Sequence, residues 1–249
     1  MILGENGYIG SYIKDKIPET DALILLAGHS SVKMCDNHPD AAWTNNVDLF
    51  RNLLNNHPGR FIYASSASVY DGVDNPNEDC NQFNLKGMYD LTKRTIDNLA
   101  LLSDKDYYGL RFATVNGWSP NLRTDVMLNK MVYDAKNLGL IMVTSPQLVR
   151  PILGINDLAR AVKTILETER PHPGIYNLAS FNASVLEMAE YVAKQFNAKV
   201  DVIHNTGKPY AFGIDTTKFE KQYDFEFKDT LESVVDSLKQ DFITTGVRE

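Results

Sequence analysis

Tyr89 and Lys93 stand four residues apart in the run Tyr89-Asp90-Leu91-Thr92-Lys93. On a helix, that spacing places a phenol and an ammonium on one face. A free phenol has a pKa near 10, so work as a base near neutrality requires lowering it by about two to three units, or about 3–4 kcal/mol. A cation ~4 Å away supplies about 4 kcal/mol at an effective dielectric near 20. One lysine is therefore about sufficient. A second hydroxyl must orient the reacting oxygen. Ser66 qualifies because it ends an apolar run, and ligands bind at the strand C-termini of open α/β sheets. Cys35 and His29 are read as a buried thiol and a loop histidine rather than as further acid/base groups.

The first ten residues carry a different chemistry. The apolar run at 1–3 meets Gly4, Gly7 and Gly10, and the spacing predicts a helix over 8–17. Glycine permits a tight turn and lets backbone N–H groups approach an anion closely. The positive end of a helix dipole favours the same anion. A dinucleotide phosphate fits this turn; the alternative is a purely structural bend.

Strands and helices must hold these groups. Residues 21–28 form a short apolar run ending in Gly28, as do residues 60–66. Runs of that kind suit strands buried on both faces of a parallel sheet. Apolar residues at Ala42, Trp43, Val47, Phe50 and Leu54 predict a helix over 40–56. Residues 71–84 read as a surface loop, 89–102 as a helix and 107–115 as a fourth strand. Beyond them, helices are expected over 125–137, 157–169, 184–196, 215–219 and 230–242, with strands over 140–143, 174–178 and 199–203. This alternation predicts an α/β fold.

At 249 residues, with 43% hydrophobic and 23% charged, the chain can bury an ordinary globular core. A net charge of −7 argues against a general nucleic-acid binder. No apolar run reaches membrane-spanning length, and no signal peptide is evident. Cys35 and Cys80 make neither a metal pattern nor a disulfide framework, so no metal is expected and a reducing cytoplasm is the simplest setting.

Taken together, the motifs resemble those of the extended short-chain dehydrogenase/reductases, the NAD-dependent epimerase/dehydratase group acting on sugar nucleotides. The likeness covers nearly the whole chain. It rests on Gly4-x-x-Gly7-Tyr8-Ile9-Gly10, Leu26-Ala27-Gly28, Asn45-Asn46-Val47, Ser65-Ser66-Ala67-Ser68-Val69-Tyr70, Tyr89-x-x-x-Lys93, Leu110-Arg111-Phe112-Ala113-Thr114-Val115, and Arg150 followed by Asp157-Leu158-Ala159. The resemblance implies a Rossmann-like, mostly parallel sheet with a smaller C-terminal α/β substrate-binding lobe. Residues 1–115 with about 152–180 would form the cofactor lobe, and 116–151 with 181–249 the substrate lobe.

The resemblance also implies site residues. Ser66, Tyr89 and Lys93 become the catalytic trio, with Lys93 also on the nicotinamide ribose. Gly4, Asn6, Gly7, Tyr8, Ile9, Gly10, Ala27 and Gly28 would hold NAD or NADP. Ser68, Thr114, Asn116, Arg123, Asn129 and Arg150 would hold a nucleotide sugar, with Arg150 on its diphosphate, where a planar fork pairs phosphate oxygens bidentately. Helices 40–56 and 89–102 resemble those that pair in family dimers; Leu99, Leu101 and Leu102 exceed what one buried face needs. An epimerase and a 4-keto-sugar reductase both remain open. Ala67 and Ser68 replace the acidic pair of 4,6-dehydratases, and Thr114 replaces a family asparagine. A binding or assembly protein that has lost dinucleotide binding is the alternative.

One unit of the family fold is missing. The chain passes from Ile17 to Asp21 with no room for two strands that relatives insert there, one of which ends in the acidic residue that grips the adenosine ribose. In the order 3-2-1-4-5-6 that pair is one complete edge, so its loss leaves the first strand at the border. If the first helix keeps its usual face, its crossover becomes left-handed, against a strong rule. If it changes face, the pyrophosphate cradle is rebuilt or lost.

Overall fold

The computed structural model describes residues 1–203 and 210–239. Strand β1 (Ile2–Leu3) turns into helix α1 (Tyr8–Ile13), and β2 (Leu23–Leu25) follows. Helices α2 (Val32–Asn37), α3 (Pro39–Trp43) and α4 (Leu49–Asn56) come next, with α3 and α4 joined by a π-helical turn, Thr44–Asp48. Then come β3 (Phe61–Ser66), α5 (Met88–Leu101) and β4 (Tyr107–Phe112). The helix expected over 8–17 stops at Ile13, and α2 answers to no apolar periodicity in the sequence.

After Ala113 the chain forms β5 (Thr114–Asn116), α6 (Met127–Leu138), β6 (Leu140–Thr144), β7 (Val149–Gly154), α7 (Ile155–Glu167) and β8 (Gly174–Leu178). Strand β9 (Phe181–Ser184), α8 (Val185–Phe196), β10 (Lys199–Ile203), α9 (Thr217–Tyr223) and α10 (Leu231–Lys239) complete it. The helix expected over 230–242 lies partly outside the described residues. No helix among the described residues is long and apolar enough to cross a membrane.

Five strands form one parallel sheet in the order β1-β2-β3-β4-β8. Alternation of side chains decides its two faces. Leu23, Leu25, Phe61 and Tyr63 pack against Phe50 and Leu54 of α4 and Ile96 and Ala100 of α5. Ile24, Ile62, Tyr108 and Leu110 pack on the opposite face, against Tyr8, Tyr12 and Ile13 of α1 and Leu158, Val162 and Ile165 of α7. A third core joins α6, α8 and α10 to β6 and β7, including Leu128, Val143, Ile152, Met188 and Val235. Beside the main sheet, β5-β7-β9 and β6-β10 form two small sheets.

Strand β1 is the sheet edge, as the missing unit requires. Helix α1 lies on the face opposite α4 and α5. Strands β1 to β4 run parallel and in sequence order across the sheet, so β1-α1-β2 has the opposite hand to β2-α4-β3 and β3-α5-β4. Right-handed crossovers are the rule for parallel strands; the first crossover is therefore left-handed. Burial of Tyr8, Tyr12 and Ile13 against α7 holds α1 there.

Candidate functional site

The glycine turn is shaped by close backbone approach. Gly7 N–H donates to the Gly4 carbonyl at 3.0 Å. Gly4 has φ +95°, and a Cβ there would lie 2.7 Å from Ala27 N. A Cβ on Gly10 would lie 2.0 Å from the Gly4 oxygen. The turn is thus a cradle that only glycine permits, which fits a dinucleotide pyrophosphate. Tyr8 and Ile9 line the adjoining cleft together with Leu26 and Gly28. Gly4, Gly7 and Gly10 shape the turn without lining that cleft, and Asn6 is exposed. Ala27 does not line that cleft, and its N–H donates to the Leu3 carbonyl at 2.9 Å.

Asn46 fixes the loop after β2. Its carboxamide accepts from His29 N at 2.7 Å and donates to the His29 carbonyl at 3.1 Å and to Thr92 Oγ1 at 3.1 Å. It sits in the π-helical turn, a distortion frequent at functional sites. Its role was not legible in the sequence, although the Asn45-Asn46-Val47 motif was.

Strand β3 and helix α5 bring the catalytic candidates together. The Tyr89 phenol and the Ser66 hydroxyl face the same cleft. Tyr89, Lys93, Ser66 and Ser68 all line a cleft of about 410 Å³. Lys93 departs from expectation. Its Nζ donates to the Ala64 carbonyl at 2.8 Å and lies 5.8 Å from the Tyr89 ring centroid. Burial pushes the Tyr89 phenol up; the neighbouring Ser66 hydroxyl works against that, and the Asp90 charge adds to it. Lys93 is not what tunes the phenol in this arrangement: its ammonium is turned to a backbone carbonyl, and burial pushes its own pKa down to about 8.

A stability effect follows. Lys93 holds its proton less tightly folded, at about 8, than at its ordinary 10.5. The unfolded chain binds the extra proton between those values, so this group makes stability rise with pH across that window. Lys93→Met should melt no lower than the parent at pH 7, and its relative gain should vanish toward pH 10. A Tm difference that does not change with pH would contradict this.

Thr114, Arg123, Asp125, Arg150, Tyr210 and Phe212 close the cleft. Arg123 pairs bidentately with Asp125, at 2.9 and 2.7 Å. Arg150 is poorly paired. Among the described residues, its Nε is buried without a partner, and Nη1 reaches only the Tyr210 carbonyl, at 3.3 Å. Burial lowers its pKa. Its guanidinium lies 5.9 Å from the Tyr210 ring and 5.8 Å from the Phe212 ring. A buried guanidinium with open valences matches an anion. An adjoining recess of about 360 Å³ shares Thr114, Asp125, Arg150 and Tyr210.

Asn116 and Asn129 are corrections. Both are fully buried. Asn129 accepts from Gly117 N at 2.9 Å and donates to Tyr8 OH at 3.2 Å and the Arg123 carbonyl at 2.9 Å. Asn116 accepts from Leu128 N at 3.0 Å and Asn129 N at 3.3 Å, and donates to the Thr114 carbonyl at 2.7 Å. Their polar atoms are spent inside the protein, so neither faces a substrate. Two residues outside the expected set enter the site: Asp90, fully buried, and Tyr210, whose hydroxyl donates to Asp90 at 2.7 Å.

A family model described as "NAD dependent epimerase/dehydratase family" matches residues 11–179, beginning one residue beyond Gly10. Among solved structures, MoeE5 in complex with UDP-glucuronic acid and NAD is similar with a TM-score of 0.85 over 98% of this chain and 99% of that one, at 17% identity. RMD from Pseudomonas aeruginosa complexed with NADPH gives 0.80 over 97% of each chain at 15% identity. UDP-glucuronic acid 4-epimerase from Bacillus cereus, in complex with UDP-glucuronic acid and NAD, gives 0.77 over 88% of this chain and 76% of that one at 21% identity. At these identities the likeness is one of fold. A search of curated proteins found no match.

Proposed function

The chain belongs to the NAD-dependent epimerase/dehydratase family, and on that premise we propose that it is an NAD(P)-dependent sugar-nucleotide epimerase or 4-keto-sugar reductase. The observation that carries the reading is the meeting of the Tyr89–Ser66 pair and the under-paired Arg150 in one cleft. Tyr89 moves the proton at the sugar oxygen. Ser66 orients that oxygen, Lys93 supports the nicotinamide ribose, and Arg150 takes the diphosphate. Thr114, Ser68 and Arg123 border the sugar and nucleotide. The adjoining recess, with Met127, Lys130 and Val143, would take the base. A nicotinamide supplies the hydride exchange when bound. The reading leaves out 4,6-dehydration, since Ala67 and Ser68 bring no carboxyl beside Ser66.

A thermal-shift screen with UDP-, dTDP- and GDP-linked sugars selects the nucleotide. Product analysis for inverted sugar without added cofactor, and NADPH oxidation with 4-keto sugars, then separates epimerase from reductase. No stabilisation and no turnover in either assay would overturn the reading. The alternative, a binding or assembly protein without dinucleotide binding, is motivated by the edge position of β1 and the left-handed first crossover.

The same edge bears on the cofactor. No strand lies beyond β1 among the described residues to carry an acidic ribose ligand or an arginine for a 2′-phosphate. NADH and NADPH should therefore bind within about tenfold of each other, a difference of about 1.4 kcal/mol or less. Calorimetric titration checks this; a preference of about a hundredfold would show an adenosine grip elsewhere, and absence of binding to either would favour the alternative.

We also propose a homodimer through α3–α4 and α5. Trp43, Leu91, Leu101 and Leu102 are exposed on that surface, Leu102 by 88%, whereas Leu99 packs inward against the sheet core. Sedimentation should report a dimer at micromolar concentration, and Leu102→Lys should weaken it. A monomeric parent protein would end this proposal.

A further inference from the structure

We infer that Tyr8 is a positioning residue that hangs segment 117–125 on the glycine turn, so that cofactor and nucleotide sugar tighten each other's binding. The inference rests on the reading that the turn holds the cofactor and that Arg123 borders the nucleotide sugar.

Residues 117–125 lead from β5 toward α6 and form no strand or helix. Among the described residues, their backbone bonds to no other backbone. Side chains hold the segment instead. Gly117 N donates to Asn129 Oδ1 at 2.9 Å, and Trp118 N to Ser237 Oγ at 3.2 Å. Further supports come from the glycine turn and α1. Tyr8 OH donates to the Gly117 carbonyl at 2.7 Å, so toward Asn129 Nδ2, at 3.2 Å, it accepts. Ser119 Oγ donates to the Tyr8 carbonyl at 2.5 Å and meets Ser11 Oγ at 2.9 Å. Asn121 N donates to Ser11 Oγ at 3.3 Å, and Asn121 Nδ2 to the Asn6 carbonyl at 2.8 Å. Arg123 travels with this segment. Its carbonyl accepts from Asn129 Nδ2 at 2.9 Å, and its guanidinium is clamped to Asp125.

Tyr8 stands at the junction of the two binding regions. Its ring lines the cleft, its main chain opens α1 directly after Gly7, and its hydroxyl joins Gly117 to Asn129. A segment without backbone partners keeps its place only as well as its side-chain supports do. A pyrophosphate seated on the turn fixes the backbone around Gly4, Gly7 and Gly10, and with it Asn6, Tyr8 and Ser11. The order imposed by this first ligand is not imposed again by the second, which gives positive coupling. Coupling of binding free energies is reciprocal, so the nucleotide sugar tightens the cofactor by the same factor.

Calorimetry measures the coupling with UDP, dTDP and GDP as probes, which carry no sugar to touch a nicotinamide. The diphosphate that binds should do so about tenfold more tightly with saturating NADH, inside the common range of about 5–150-fold. NADH should tighten by the same factor with that diphosphate saturating. Tyr8→Phe should bring both ratios to about one; each ratio is taken within one protein, so a change in basal affinity cancels. Hydrogen exchange reads the segment without any nucleotide. Tyr8→Phe should speed exchange of the Gly117 and Asn121 amides and leave β3 and β4 as they are. NADH should slow those two amides in the parent and not in the variant. Should Tyr8→Phe fail to fold, Ser11→Ala removes the acceptor of Asn121 and the neighbour of Ser119 in its place. A ratio near one in the parent, a ratio that survives the substitution, or bound NADH that leaves both amides unchanged would overturn the inference. If no nucleoside diphosphate binds, the nucleotide-sugar reading fails while hydrogen exchange still decides whether Tyr8 holds the segment. Absence of NADH binding, visible in the titration itself, ends both.

Discussion

Tyr89→Phe should lower kcat/KM for the nucleotide-sugar reaction by about a thousandfold, since general acid–base catalysis contributes about 10²–10⁴-fold. That factor is about 4 kcal/mol of transition-state stabilisation. The change deletes one oxygen from a half-buried ring, so the fold should survive. NADH affinity should be unchanged, because the reading gives the nicotinamide ribose to Lys93 rather than to the phenol. Single-turnover kinetics with cofactor binding measured alongside separates these effects. A loss below about tenfold would remove Tyr89 from the chemistry.

Asp97→Ala should be the most damaging single change to stability among the polar core positions, costing about 3–5 kcal/mol. Asp97 and Arg111 are both almost wholly buried, and Arg111 Nε meets Asp97 Oδ2 at 2.8 Å. Tyr63 OH also donates to Asp97, at 3.2 Å, and Tyr70 OH is bonded to Arg111. Removing the carboxylate strands a guanidinium behind the sheet and leaves the Tyr63 hydroxyl without its acceptor. For a chain of this size the melting temperature should fall by about 10 °C. Arg111→Leu with Asp97→Leu should cost much less than the sum of the single changes, because a buried pair replaced by apolar residues leaves no charge behind. A mild single-mutant effect, measured by denaturant unfolding, would show that water reaches the pair.

The parallel sheet and the placement of Tyr89 and Lys93 on one helix face were legible because they depend on local signals. Apolar runs marked β2 and β3, 3.6-residue spacing marked the 40–56 helix, and four-residue spacing put Tyr89 and Lys93 on one face. Strand β7 was hidden because Arg150 and Pro151 interrupt its apolar pattern, and β9 because Phe181–Ser184 is short and polar. The direction in which Lys93 points is set by the Ala64 carbonyl, which no spacing rule encodes. Asn116 and Asn129 look like ligand contacts in a linear motif, yet their valences are consumed by a cap and a lobe junction. Tyr210 meets Asp90 across 120 positions of sequence, and such a pairing has no local signature.

Strand β1 has two residues and one neighbour, to which Met1 and Leu3 carbonyls accept from Ile24 and Leu26 at 2.9 Å each. Short, singly flanked strands belong to the low-stability end of a structure and open before the core does. The glycine cradle is therefore built on the part of the sheet that yields first. Whatever anion settles there also fastens the margin of the fold, so occupancy and local order rise together. The glycine turn thus sits on a margin of the sheet whose integrity depends on what it holds.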